Sequence, residues 1–322
     1  MQALRVHDFA APIQLDELPA PQPGPGEVRV RMHAQGISFF DLLIARGGYQ
    51  WRPELPFTVG SEYAGTVDAV GDGVITWAVG DRVCGALSIG AWAQQVCVPA
   101  DGLHAVPEGA PLDEAAVLHT PYGTALYALR ERGRLQPGET VLVLGALGSI
   151  GQAAIQVAKV LGGRVIAGAS GAAKCAAALA EGADEAVDLA DAGWKDRVKA
   201  LAGKRGVGVV VDPVGGDFTD TAFRTLGWNG RHLVVGFAGG AIGQLKANLT
   251  IVKGGALVGV DLRQFRLFEP EAARQLSADV AALHRDGHLK PRIAARLPYA
   301  RHAEAFALAQ RRDTIGRVLL LP

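Results

Sequence analysis

The chain has 322 residues, enough for two domains that each bury a core, and its 32 Lys plus Arg balance 32 Asp plus Glu, so no strongly basic face for nucleic acid or anionic membrane is implied. Cys84, Cys97 and Cys175 are scattered thiols without a CxxC pair, which argues against a disulfide framework or structural zinc and fits a reducing, cytoplasmic compartment. No long apolar run opens the chain, and its most hydrophobic stretch is broken by Gln152, Gln156 and Lys159, so neither a signal peptide nor a membrane span is expected. With 42 glycines and 49% hydrophobic residues, the composition is that of an α/β protein with a small-molecule partner.

In chain order, short β-type runs at 27–32, 63–70 and 92–98 are separated by the turn signals PQPGPGE, GDG, VGD and VPEGAP, and predict an antiparallel, loop-rich β domain up to about Val117. From Thr120 the texture changes to alternating strands and helices, with strands expected at 140–144, 164–167, 183–189, 207–211, 231–237 and 256–262. These form a doubly wound parallel sheet. A helical stretch at 269–285 follows, then strand-like pieces at 293–296 and 317–321 that return to the first domain.

The most informative segment joins the first two of those parallel strands. After the apolar run 140–144 comes GALGSIG, a tight turn in which Gly145, Ala146, Gly148, Ser149, Ile150 and Gly151 let bare backbone approach a pyrophosphate at the start of the next helix. Ile150, Ala154, Val157, Ala158 and Leu161 recur at helical spacing, and Gly162 with Gly163 ends the helix. The wording is AxGxxG, and such a turn can also serve packing alone. A carboxylate after the second strand would suit the ribose hydroxyls of NAD, but no acid lies between Thr140 and Ala180. Ser170 and Lys174 stand there instead, a hydroxyl and a cation suited to the 2′-phosphate of NADP(H), although Lys174 also reads as a solvated helix lysine.

The landmarks PGPGEVRVR, GISFFDLLIARGGY, LPFTVGSEYAGTV, VGDRV, TPYGTALYAL, LQPGETVLVLGALGSIG, VVVDPVGG and TIGRVLLLP span essentially the whole chain. In this order they resemble the zinc-independent quinone oxidoreductase branch of the medium-chain dehydrogenase/reductase superfamily. The resemblance implies a GroES-like antiparallel β domain (1–119 and 263–322) and a Rossmann NADP(H)-binding domain (120–262), with the site in a cleft between them. Ser38 and Ser61 stand where zinc-dependent relatives carry a ligand cysteine and histidine, so no metal is expected. Without zinc, the implied acceptors are quinones or activated alkenes, whose conjugation delocalises the charge that a hydride brings.

Further roles implied by the resemblance fall on single residues. Tyr49 matches a tyrosine that hydrogen-bonds or protonates substrate in enoyl reductases, with an aromatic packed at a loop as the other reading. Ser38 replaces the branch's usual asparagine as the substrate-side polar group. Thr124 matches a threonine near the nicotinamide and also suits a plain helix position. Val214 and Gly215, and Gly236, Phe237 and Ala238, follow strands whose ends hold the nicotinamide riboside by backbone groups. Leu189 replaces a tyrosine that often touches the 2′-phosphate; Arg312 resembles a basic residue that reaches the adenosine phosphates, or is a surface arginine. Asp41 and Glu62 are expected to be structural, as is His119, while His284 and His288 read as a solvated helix end. A homodimer is expected, through a sheet edge left open near 231–237 and 256–262. Two other activities stay open: an enone, enal or enoyl-thioester reductase, and a non-catalytic NADPH-binding protein.

Overall fold

Turn-forming Pro and Gly clusters divide the first 105 residues into β1 (Gln2–Val6), β2 (Gln14–Glu17), β3 (Glu27–Ile37), β4 (Phe57–Thr58), β5 (Glu62–Val70), β6 (Arg82–Ala86), β7 (Gln95–Pro99) and β8 (Leu103–Ala105). Along β3 the pleat turns Val28, Val30 and Met32 inward and leaves Arg31 and His33 exposed, so one face of its sheet makes a core with Tyr63, Val67, Val83 and Val98. β3 pairs antiparallel with β5 and β7.

The following strands are nearly all apolar and buried at the centre of their sheet, as strands covered on both faces must be, and more exposed at its edges. They are β9 (Thr140–Leu144), β10 (Arg164–Ala169), β11 (Glu185–Asp188), β12 (Val207–Asp212), β13 (Leu226–Val234) and β14 (Ala256–Gly259), all paired parallel in the order β11-β10-β9-β12-β13-β14. Val141 to Leu144 and Val209 to Val211 are fully buried. The order reverses at β9, which pairs with both β10 and β12, and the carboxyl ends of these strands are where doubly wound sheets hold ligands. The chain closes with β15 (Ile293–Pro298) and β16 (Arg317–Leu321); β16 pairs antiparallel with β3.

This computed structural model describes residues 1–311 and 313–322. Within them the chain forms two units, Met1–Thr120 with Lys290–Pro322, and Pro121–Leu289. The helices Leu262–Phe268 and Pro270–Arg285, read from sequence as part of the antiparallel domain, fall in the parallel-sheet unit: Phe265 stacks on Tyr127 at 4.3 Å, and Asp279 accepts from Arg130 at 2.7 Å. β13 and β14 also stop short of their expected ends. β13 ends at Val234, because the next two amides turn back to the Asp212 carbonyl, and β14 ends before Asp261, whose side chain caps the helix at Leu262. No helix among the described residues is long and apolar enough to cross a membrane.

Candidate functional site

In the parallel-sheet unit, three turns at the carboxyl ends of the strands touch one another. The first leaves β9 through Gly145, whose φ of +57° is a left-handed conformation that favours glycine. Ala146 N–H donates to the Gly168 carbonyl of β10 at 3.0 Å, tying the turn to its neighbour. Gly151 carries the close approach: a Cβ there would sit 2.3 Å from the Gly145 carbonyl oxygen and 2.7 Å from Ala146 Cα. At Gly148, exposed at the helix N-cap, the nearest atom to an added Cβ is 3.3 Å away. The helix Ser149–Val160 thus starts against the turn with no side-chain cap, and its first amides, on Ser149 and Ile150, face the end of the sheet where an anion can sit.

The same helix carries a residue not singled out from sequence. Gln152 is 4% exposed, and its side-chain Nε2 has no hydrogen-bond partner among the described residues. A buried amide donor without a partner costs about 1–3 kcal/mol. Its position one turn into the helix, together with the bare glycine cradle, fits a dinucleotide. The signal was a lone polar residue among Gly151, Ala153, Ala154 and Ile155, all buried.

Around the end of β10, Ser170 is exposed and Lys174 is half-buried on the helix Ala172–Ala180. The structure also brings an acid to this loop. Asp188, paired in register with Ala169, accepts from Gly171 N–H and Ala190 N–H, both at 2.9 Å, and those amides hold its carboxyl below the usual range. It lies beyond the acid-free interval 140–180, and only the parallel register of β10 and β11 carries it here.

After β12 and β13, Val214, Gly215, Gly236, Phe237 and Ala238 lie on two turns that are hydrogen-bonded together. Val235 and Gly236 donate to Asp212 O at 2.9 and 3.3 Å, Ala238 to Pro213 O at 3.0 Å and Gly239 to Val214 O at 2.9 Å. A Cβ on Gly145 would lie 2.8 Å from Val214 Cγ2, and one on Gly215 would lie 2.7 Å from Phe237 Cδ1, so the turns after β9, β12 and β13 form one surface. Thr124, in the same unit, is 9% exposed on the helix His119–Leu126. Arg312 lies outside the described residues.

In the antiparallel unit, Ser38 is the N-cap of the helix Phe39–Ala45 and forms a capping box with Asp41: Ser38 N–H donates to Asp41 Oδ2 at 2.8 Å, and Asp41 N–H donates to Ser38 Oγ at 3.1 Å. Ser38 Oγ also donates to Asp41 Oδ2 at 2.6 Å. Burial pushes the Asp41 carboxyl up to about 6, against the lowering effect of the Ser38 and Ser61 hydroxyls, and Glu62 adds to the rise. Glu62 is itself buried against Arg317. Tyr49 is half-buried, its ring edge-on to Phe40 at 5.0 Å. Ser38, Ser61, Asp41 and Glu62 form one network; Tyr49 packs on Phe40, two residues after Ser38 in sequence. His119 stacks on His104 at 4.1 Å, and the helix bearing His284 ends before Gly287, at φ +78°. Among the described residues, no group of three or more His, Cys, Asp or Glu is placed to hold a metal ion.

Residues 149–283 match the family model described as zinc-binding dehydrogenase, and residues 24–108 match that of the alcohol dehydrogenase GroES-like domain. The chain is 39% identical to the mouse (Mus musculus) quinone oxidoreductase-like protein 2, covering 97% of this chain and 90% of that protein. It is 30% identical to the rat (Rattus norvegicus) quinone oxidoreductase, covering 100% and 98%. The structure of Escherichia coli quinone oxidoreductase complexed with NADPH superposes with a TM-score of 0.93 at 28% identity, covering all of both chains.

Proposed function

Because the chain belongs to the medium-chain dehydrogenase/reductase superfamily, in its quinone oxidoreductase branch, we propose that it is an NADPH-dependent reductase of quinones that works without a metal. The observation that carries this reading is the glycine cradle of 145–151 at the reversal point of the parallel sheet, with Ser170 and Lys174 at the end of the neighbouring strand. NADPH bound there supplies the hydride. The cradle's amides and the start of the helix Ser149–Val160 would receive the pyrophosphate, and the buried Gln152 amide would supply a further donor. Ser170 and Lys174 take the 2′-phosphate, with Thr124 and the turns bearing Val214, Gly215, Gly236, Phe237 and Ala238 around the nicotinamide half. Arg312 is proposed to reach the adenosine phosphates.

Toward the acceptor, Ser38 offers a hydroxyl already hydrogen-bonded to a carboxyl that titrates near 6, and Tyr49 offers a phenol. Metal independence is supported by Ser38 and Ser61: a neutral hydroxyl is a weak zinc ligand, and Ser38 Oγ is committed to Asp41. Among the described residues β14 pairs only with β13, and Leu257 on it and Ile251 and Val252 beside it are exposed, which supports a homodimer closed along that edge.

The test is oxidation of NADPH, followed by absorbance, over a panel of quinones, enones and enoyl thioesters. Turnover confined to quinones is expected. Tight NADPH binding without turnover of any acceptor would replace the enzyme with a non-catalytic binding protein, and turnover of alkenes that is lost in Tyr49→Phe would move the activity to double-bond reduction.

A further inference from the structure

Asp212, at the end of β12, is 1% exposed, and its carboxylate is surrounded by donors. Oδ1 accepts from Val214 N–H at 3.0 Å and Gly215 N–H at 2.8 Å; Oδ2 accepts from the Thr219 hydroxyl at 2.8 Å and faces His232 Nε2 at 2.9 Å. Burial works to raise its pKa, but the bonds from His232, Gly215 and Thr219 prevail and hold it below the usual carboxylate range. An ionised Asp212 is an acceptor only, so the tautomer of His232 that fits carries its proton on Nε2. His232 is fully buried on β13, and its other ring nitrogen has no hydrogen-bond partner among the described residues.

Such a pair is costly to bury and no route to stability, since apolar residues of the same volume serve a sheet interior at least as well. Its value lies in what it joins. The side chain of Asp212 sets the turn after β12, its carbonyl accepts from Val235 and Gly236 of the turn after β13, and His232 anchors the carboxylate to β13 itself. Gly215 and Gly216, at φ +73° and +60°, give the first turn a shape that needs outside hydrogen bonds to hold it.

We propose that Asp212 and His232 are positioning residues that lock the turns 213–215 and 236–238 into one rigid surface for the nicotinamide half of the dinucleotide. This rests on the cofactor reading above. Neither residue touches the cofactor; both act through the backbone of Val214, Gly215 and Gly236.

The experiment compares two probes by titration calorimetry: intact NADPH, and 2′,5′-ADP, which carries the adenosine and 2′-phosphate but no nicotinamide. In Asp212→Asn and His232→Phe, NADPH binding weakens roughly tenfold while 2′,5′-ADP binding stays within twofold, because only the nicotinamide half leans on these turns. His232→Gln, which returns an N–H to Asp212, and Thr219→Val, which removes a single donor, give smaller losses and cover the case in which the stronger variants do not fold. The ratio of NADPH to NADH affinity stays unchanged, since both share the nicotinamide. Equal weakening of both probes would overturn the proposal in favour of a general structural role, as would unchanged NADPH binding in every variant. Failure of the unsubstituted protein to bind either probe is a separate result, and would instead remove the cofactor reading.

Discussion

Asp41 and Asp212 are both buried aspartates at the boundary of a regular element, one in each unit, and they are pushed in opposite directions. Around Asp212, two amides, a hydroxyl and an imidazole overcome the effect of burial and keep the carboxyl below its usual range. Around Asp41, burial prevails over the Ser38 and Ser61 hydroxyls, the charge of Glu62 adds to it, and the carboxyl rises to about 6. Donor count against desolvation decides the sign. The first site is built to keep a charge, the second to hold a proton that is readily lost.

Removing the first carboxylate should have the largest effect. Asp212→Ala leaves two amides, a hydroxyl and an imidazole without their shared acceptor, and is expected to cost about 3–5 kcal/mol in urea unfolding. For a group whose pKa is depressed by folding, the contribution is present above the ordinary value and lost as pH falls, so the gap between parent and variant should narrow on acidification. A gap that widens toward acid would break the comparison.

Asp41 carries the opposite sign. Folding raises its pKa from 3.8 to about 6, so the native state binds the proton more tightly and loses stability as pH climbs between those values. Asp41→Asn keeps the acceptor for Ser38 N–H and removes the charge. Relative to the parent, it should gain up to about 3 kcal/mol as pH rises from about 4 to about 8, because a tenfold change in proton affinity is worth about 1.4 kcal/mol. A pH-independent difference would show that the carboxyl is not perturbed.

The same contrast marks what the sequence could reveal. The glycine turn, the strand alternation and the two serines at the zinc-ligand positions are local: residues 145–148 join β9 to a helix whose first turn holds 149–151. The environments of Asp41 and Asp212 are only partly local: Ser38 caps Asp41 and the turn amides reach Asp212 nearby in sequence, but Ser61, Glu62 and His232 come from other strands and turns. His232 reaches Asp212 across 20 residues of chain and Arg317 reaches Glu62 across 255, so each depends on register between strands. The helices after 262 went to the antiparallel domain in sequence because nothing local shows Phe265 stacking on Tyr127. Gln152 was visible as a polar residue on an apolar face, but its unpaired amide appears only once the packing is known.

At the surface the contrast should shrink. Lys174→Ala is expected to weaken NADPH about tenfold and leave NADH unchanged, as for one charge-assisted contact to the 2′-phosphate. Equal weakening of both cofactors in fluorescence titrations would remove the phosphate assignment.

The smallest effect concerns Asp188, a third aspartate held by amides but open to water. Like Asp212, it is kept below its usual range by backbone donors, here from Gly171 and Ala190. It brings a negative charge to the loop where Ser170 and Lys174 are proposed to take a dianionic phosphate. Asp188→Asn retains an oxygen for both amides and removes that charge, so NADPH affinity relative to NADH should rise roughly two- to fivefold at low ionic strength. Because the interaction runs through water, salt should erase the gain: at about 0.5 M KCl the two proteins should discriminate alike, the Debye length having fallen to a few ångströms. A gain that persists in salt would mean that the substitution reshapes the loop and not its field, and a loss of preference would mean that Asp188 orders Gly171 for the phosphate more than it repels it.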